Sequence, residues 1–252
     1  MGKESITEEN LRLIENFNRI NDHLKTDGIS TDIDSTEFAS EVTALKLYNN
    51  LTQESRTMDE LTDRYIMVKW LKDLGYGDPL NTAINIWNNS NEISKLQPSE
   101  GSLILSKYLY DNNVDLHRIT ARPGWTEIVD ATYKCYEVRM PWVNKELIHI
   151  QEGDQISSQF KINTVSNYAR YHFDDAQEEA EKLCSAGVVC VLIPQPWNKY
   201  YKSGNPRLLT FNKALSVGLP SLGISEYDFQ HTPKLIQAYF ILSDYILKNV
   251  QI

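Results

Sequence analysis

Residues 29 to 36 read Ile-Ser-Thr-Asp-Ile-Asp-Ser-Thr, placing two carboxylates, Asp32 and Asp34, two positions apart among hydroxyls. On an extended chain, side chains two apart point the same way. Like charges that close repel unless a cation lies between them or one is protonated. The stretch is therefore either a solvated turn or a pair with a shared task. Asp-x-Asp beside Ser and Thr is common in turns, so the pair alone does not decide.

Other reactive residues fall where predicted strands end. "DLHRIT" leads into Thr120-Ala121-Arg122, "YHF" into Asp174-Asp175, and "VVCVLI" into Pro194-Gln195-Pro196-Trp197-Asn198, while Lys161 opens the helix preceding the fourth strand. In open parallel sheets, ligands bind beyond the carboxyl ends of the strands. One sheet edge would then gather four carboxylates, a hydroxyl and a lysine. Such a set needs a cation, and oxygen-only ligands select a hard one, Mg²⁺. Mg²⁺ held by a few carboxylates keeps positions for water and a phosphate oxygen, which points to phosphoryl transfer.

Asp32 is the candidate nucleophile, forming an aspartyl-phosphate. Asp34 is the candidate acid and base, a task suited by a raised pKa. Thr120 and the Ala121 N–H can hold phosphoryl oxygens, and Lys161 can neutralise nucleophile and phosphate. Arg122 suits either a phosphate or carboxyl group of the substrate or a surface acid. Candidate metal ligands are Asp32, Asp34, Asp174 and Asp175; Asp174-Asp175 also reads as the N-cap of the following helix.

These residues need a scaffold. The spacing predicts a helix over 7–24, with Thr7 as cap and Leu11, Ile14, Phe17 and Ile20 on one face. A short, unusually polar strand follows at 28–33. Residues 37–94 read as helical throughout, with a capping box at Thr57 and Glu60 and a stop at Gly75 and Gly77. From about 99 helices alternate with the strands "DLHRIT", "ELIHIQ", "YHFDD" and "VVCVLIP", the signature of a parallel sheet covered on both faces. A last helix, near 233–249, has a broad apolar face that either packs on the sheet or makes a homodimer contact.

The 252 residues suffice for a sizeable core, and 34 acidic against 25 basic side chains give a net charge of −9. That balance disfavours a general nucleic-acid surface. No apolar run suits a membrane span, and residues 1 to 17 have no secretory stretch. The cysteines, Cys135, Cys184 and Cys190, show no metal-like spacing and suit a reduced, cytoplasmic setting. The five histidines do not cluster at zinc-ligand spacing.

Asp32-Ile33-Asp34-Ser35-Thr36 resembles the DxDxT motif of the haloacid dehalogenase (HAD) superfamily of phosphatases, and Thr120, Lys161 and Asp174-Asp175 look like its second, third and fourth motifs. The resemblance covers about residues 28 to 200. It implies Asp32 as nucleophile, Asp34 as acid/base with its backbone carbonyl on Mg²⁺, Thr120 and Lys161 on the phosphate, and Asp175 as metal ligand with Asp174 beside it or bridged by water. It also implies a Rossmann-like α/β core over 1–36 and 96–252, with a mobile helical cap over 37–95. "HRITARPG" and "HFDDAQEEAEKLCSAGVVCVLIPQPWN" look like the 5′(3′)-deoxyribonucleotidase branch, which implies a nucleoside monophosphate as substrate. Ser35 departs from the pattern, since many members have glycine there. The tail beyond about 205 matches no known pattern.

The cap contains Phe38, Tyr65, Trp70 and Trp87, residues that at helical spacing usually form core. A nucleobase favours an aromatic face, and Phe38, nearest the first motif, is the expected contact. The expected activity is thus Mg²⁺-dependent removal of phosphate from a nucleoside 5′-monophosphate. The alternatives are a phosphatase for another small ester or a nucleic-acid end, and a non-catalytic binding protein on the same fold.

Overall fold

The computed structural model describes residues 8–152, 157–212 and 214–249. Six strands form one sheet, β1 (Ile29–Asp32), β2 (Leu116–Thr120), β3 (Ile148–Ile150), β4 (Tyr171–Asp174), β5 (Val189–Leu192) and β6 (Leu208–Leu209), in the order β3-β2-β1-β4-β5-β6. Every neighbouring pair is parallel. The chain builds outward from β1 to β3, then returns to place β4 on the other side of β1. The carboxyl ends of β1 and β4 therefore flank a topological switch point, where open α/β sheets bind ligands.

Every residue of β1 is buried, although the sequence there is Ile-Ser-Thr-Asp. The hydroxyls make this tolerable. Ser30 Oγ lies 2.8 Å from His172 Nδ1 on β4, and Thr31 Oγ1 donates to the Asp32 carbonyl oxygen at 2.9 Å. Buried polar groups that find partners avoid most of the desolvation cost.

The two sheet faces carry separate cores. One joins Ile29, Phe173 and Val191 to Ile20, Leu109, Ala238, Leu242 and Ile246. The other joins Ile119, Cys190 and Leu192 to Val165 and Leu183. The C-terminal helix, Lys234–Asn249, thus lays its apolar face on the sheet core, and the face weighed above as a dimer contact is covered within the protein. In the first helix, Glu8–Asp27, Ile20 is buried with Phe17 packed against the same core. Thr7 and the side chains of Leu11 and Ile14 lie outside the described residues. β6 was missed in the sequence because two residues are too few to show a period.

Between β1 and β2, helices Ser40–Thr52, Ile66–Asp73, Pro79–Trp87 and Ser90–Ile93 are joined by short turns. Leu45, Tyr48, Leu61, Met67, Leu71 and Ile86 give them a small core of their own. The Thr57–Glu60 capping box is present, but it closes only a 3₁₀ turn, Met58–Glu60. The single long helix expected from 57 onward is interrupted, because Asp63 Oδ1 accepts the Tyr65 N–H at 2.7 Å and the Asp63 carbonyl accepts the Ile66 N–H at 3.1 Å. This local turn competes with the helix.

The segment leaving β1 is anchored by a buried ion pair. Arg118 Nε on β2 is 3.3 Å from Glu37 Oε1, both side chains nearly inaccessible. The Tyr136 hydroxyl donates to the other Glu37 oxygen at 2.5 Å, and the remaining Arg118 donors reach Leu116 O and Ser106 Oγ, each at 2.6 Å. Removing one partner strands a buried charge. Arg118→Met should lower unfolding free energy by about 3–5 kcal/mol in urea titration, and adding Glu37→Gln should recover part of the loss. An unchanged midpoint would show that the pair does not anchor this segment.

Candidate active site

Asp32 is the last residue of β1, and Asp174 the last of β4 with Asp175 directly after it. These neighbouring strands bring one oxygen of each carboxyl within 4.8 Å of the other two. Lys161, on helix Ser157–Tyr168, places Nζ 2.8 Å from Asp32 Oδ1 and 2.9 Å from Asp174 Oδ2. All four side chains are buried. The three acids and the lysine expected from the sequence therefore meet at the switch point.

The three acids are not equivalent. Asp174 accepts from Lys161 and from His172 Nε2 (3.1 Å) on one oxygen, and from the Ala176 N–H (2.8 Å) on the other. Burial opposes its charge, but Lys161 and His172 override burial and hold Asp174 well below the usual carboxylate range. Burial lowers the His172 pKa, against the pull of Asp174, and so favours the neutral ring. A proton on Nε2 facing Asp174 leaves Nδ1 to accept from Ser30. Asp32 is pushed up to about 7 by burial, opposed by Lys161 and reinforced by Asp174 and Asp34. Asp175 is driven far up, first by burial, then by Asp32 and Asp174. Among the described residues, its Oδ1 accepts from the Thr36 hydroxyl, at 3.4 Å.

This donor set fits a hard divalent cation. Asp32 and Asp175 are buried carboxyls that cannot both be ionised beside Asp174 without more positive charge than Lys161 supplies. Asp174, already bonded to three donors, orients Lys161, while Asp32 and Asp175 have oxygens to offer.

Asp34 differs from expectation. Arg122 binds it with two donors, Nε to Oδ2 at 2.9 Å and Nη2 to Oδ1 at 2.5 Å, and Thr120 Oγ1 donates to Oδ2 at 3.2 Å. Burial pushes its pKa up, but Arg122 outweighs burial, and Asp34 is held below the ordinary carboxylate value. The raised pKa expected for an acid is absent, and the Asp34 carboxylate is not in the three-acid cluster. Arg122 is itself buried, with Nη1 on Thr132 Oγ1 at 3.0 Å. Of the two roles weighed for Arg122, the structure shows the pairing with an acid, and that acid is the motif's own Asp34 rather than one at the surface.

Above these residues lies a cleft of about 240 Å³. Asp32, Asp34, Thr120, Ala121, Arg122, Lys161 and Asp175 form its floor. Leu61, Asp63, Arg64, Tyr65, Met67 and Trp87 from the helical insert, with Trp197 after β5, form its walls. Phe38, expected to face the substrate, is only 1% exposed and packs edge-on against Tyr136, ring centres 5.1 Å apart. Backbone bonds from Glu37 and Phe38 N–H to Ile33 O fold it back into the core. Sequence reasoning missed Asp63, Arg64 and, as a cleft residue, Tyr65, because helical periodicity runs through them. The Asp63 turn that breaks the helix is also what turns this stretch toward the cleft. Asn198 makes the turn after β5, its Nδ2 donating to Asp175 O (2.6 Å) and Ile193 O (2.9 Å), and Trp197 both donates to Asp175 O and lines the cleft.

No family model and no curated protein matches this sequence. Solved structures do resemble the fold. A HAD hydrolase of family IA, variant 3, from Entamoeba histolytica superposes with a TM-score of 0.52 over 86% of this chain and 99% of its own, at 11% identity. A haloacid dehalogenase-like hydrolase from Streptococcus pneumoniae gives 0.49 over 75% and 96%, also at 11% identity. The HAD-hydrolase YfnB of Bacillus subtilis, determined with bound magnesium, gives 0.46 over 75% and 96%, at 13% identity. This chain therefore has the α/β fold of HAD hydrolases, with an acidic aspartate cluster at the switch point of its sheet.

Proposed function

We propose that this protein is a Mg²⁺-dependent phosphatase, that it works through an aspartyl-phosphate on Asp32, and that its substrate is a nucleoside 5′-monophosphate. The observation that carries the reading is the meeting of Asp32, Lys161, Asp174 and Asp175 beneath a cleft with an aromatic upper wall. Asp32 and Asp175 would hold the cation, which lowers the cost of ionising Asp32 and screens the charge of an incoming phosphate. Lys161 orients Asp32 for attack on phosphorus and balances its charge. Thr120 and the Ala121 N–H hold phosphoryl oxygens.

Asp34, ionised on Arg122, is prepared to take a proton from the water that attacks phospho-Asp32. To donate a proton to the leaving oxygen it must first be released, and a phosphate arriving beside Arg122 offers that guanidinium another anion. Water exclusion is assigned to the helical insert at 37–95, which acts as a cap on the core formed by 1–36 and 96–252. Its separate hydrophobic cluster supports that division. Trp87, Tyr65 and Trp197 supply the aromatic faces a nucleobase would stack on. The three cysteines are buried and unpaired, which supports a reducing, cytoplasmic setting.

With Mg²⁺, the protein should release phosphate from nucleoside 5′-monophosphates, and Asp32→Asn should fold normally while losing at least ~10³-fold in kcat. A wild type as inert as the variant across mononucleotides and simple phosphate esters would end the enzymatic reading. Adding Mg²⁺ to chelator-treated protein should raise Tm by about 2–4 °C, and Asp175→Asn should abolish most of that rise. Trp87→Ala should raise KM for nucleoside monophosphates about 5- to 100-fold, as expected for lost base stacking, and leave ribose 5-phosphate hydrolysis nearly unchanged. Equal losses on both would argue against base recognition.

A further inference from the structure

The segment that carries Asp34 has a second cavity on its other side. It encloses about 190 Å³ and is lined by Ser35, Thr36, Glu41, Ser99, Glu100 and Lys234, among others. Ser35 lines this cavity and the catalytic cleft alike. Glu41, in the first turn of helix Ser40–Thr52, is 6% exposed. Its Oε2 is buried with no hydrogen-bond partner among the described residues. Burial raises the pKa of the Glu41 carboxyl, with Asp34 adding to the rise, and its own backbone N–H, the Ser35 hydroxyl and the charge of Lys234 offset only part of it, so that a nearby cation is what its ionised form lacks. Lys234 does not close on it, since its Nζ points to Pro194 O at 3.4 Å.

A buried carboxylate oxygen without a donor is costly, and one facing a polar cavity is an incomplete coordination sphere. The charges in the cavity are two carboxylates and one ammonium, a net of one negative. The neutral oxygens are the hydroxyls of Ser35, Thr36 and Ser99 and the amide of Gln195. Hard oxygen ligands around a single excess negative charge suit a small monovalent cation. A divalent ion would turn that single negative excess into a positive one and costs more to dehydrate.

We propose that this cavity binds a small monovalent cation, an alkali ion or ammonium, through Glu41, and that the ion steadies the turn carrying Asp34. The turn needs support. Ser35 sits at φ +57°, in the left-handed region that glycine occupies readily and other residues rarely. Two hydrogen bonds pin it there, Ser35 N–H to Ser40 Oγ at 2.9 Å and Gln195 Nε2 to Ser35 O at 2.5 Å. A cation on Glu41 would fix the adjoining Ser35 hydroxyl from the far side, opposite the Asp34–Arg122 pair. The proposal goes beyond the phosphatase reading and does not depend on it.

The test is thermal unfolding of the full chain in saturating Mg²⁺, at one ionic strength, in NaCl, KCl, NH₄Cl or the chloride of N-methylglucamine, whose bulk keeps its charge from Glu41. At least one of the small cations should raise Tm by about 2–4 °C over N-methylglucamine, with saturation. Preference for ammonium over both alkali ions identifies an amine as the occupant; preference for sodium or potassium identifies a metal ion. Glu41→Gln should abolish the cation-specific rise. Should that variant fold poorly, Glu100→Gln should raise the half-saturating concentration several-fold. Identical melting in all four salts would mean that water alone solvates Glu41. A cation-specific rise that survives Glu41→Gln undiminished would place the effect elsewhere. Either result overturns the proposal.

Discussion

Three carboxyl groups buried within 4.8 Å of one another set the terms for the rest of the molecule. Their closeness follows from topology. Parallel pairing of β1 with β4 sets Thr31 opposite Phe173, so that Asp32 and Asp174 follow at the ends of adjacent strands, and the switch in strand order leaves the space beyond them open. Lys161 satisfies one acid fully and a second in part. Among the described residues the third, Asp175, makes no ion pair within 4.0 Å, and Arg64 and Lys161 act on it only from farther off. A protein that stabilised only its folded state would have filled these positions with apolar residues, since buried ion networks are weak contributors to stability. Their presence is the mark of a site built to receive positive charge.

That demand also explains what surrounds the cluster. His172 and Ser30 are polar residues deep in the sheet, and together with the Ala176 N–H they hold Asp174 in one orientation, so that Lys161 is held in turn. Asn198 and Trp197 fix the Asp175 backbone from the far side. The Arg118–Glu37 pair ties the segment leaving β1 to β2. The polar character of β1, which weakens it as a sequence-level strand, is thus the same property that makes it half of the site.

The floor of the cleft was legible in the sequence because strand ends are marked twice, by the apolar run that stops and by the reactive residue that follows. Asp32, Thr120 and Asp174-Asp175 carry that signal, whereas Lys161 lies within helix Ser157–Tyr168 and was reached through the motif order. The walls were not legible. Helical periodicity across residues 57 to 74 concealed the Asp63 turn, and with it Arg64 and Tyr65. Phe38 was misplaced because proximity in sequence to Asp34 was taken for proximity in space, while the tight turn onto Ile33 sends its ring into the core. The Asp34–Arg122 pair lay beyond reach for a different reason. Which of two acids receives a nearby guanidinium depends on side-chain geometry that spacing does not encode.

Charge balance ties these observations together. Asp32, Asp34, Asp174 and Asp175 carry four negative charges when ionised, and Lys161 and Arg122 return two. The deficit of two equals the charge of one divalent ion. A phosphate dianion entering a site so neutralised needs positive charge of its own. Arg64 enters the cleft from the helical insert, half-exposed and 4.0 Å from Glu179. Burial works against its charge, but Asp175, Asp174 and Asp32 all favour it, and its pKa is raised. In the proposed reaction, Arg64 is thus the guanidinium that the helical insert would offer the phosphate. On that proposal, an insert that brings both an aromatic wall and one guanidinium supplies partners for the two ends of the substrate.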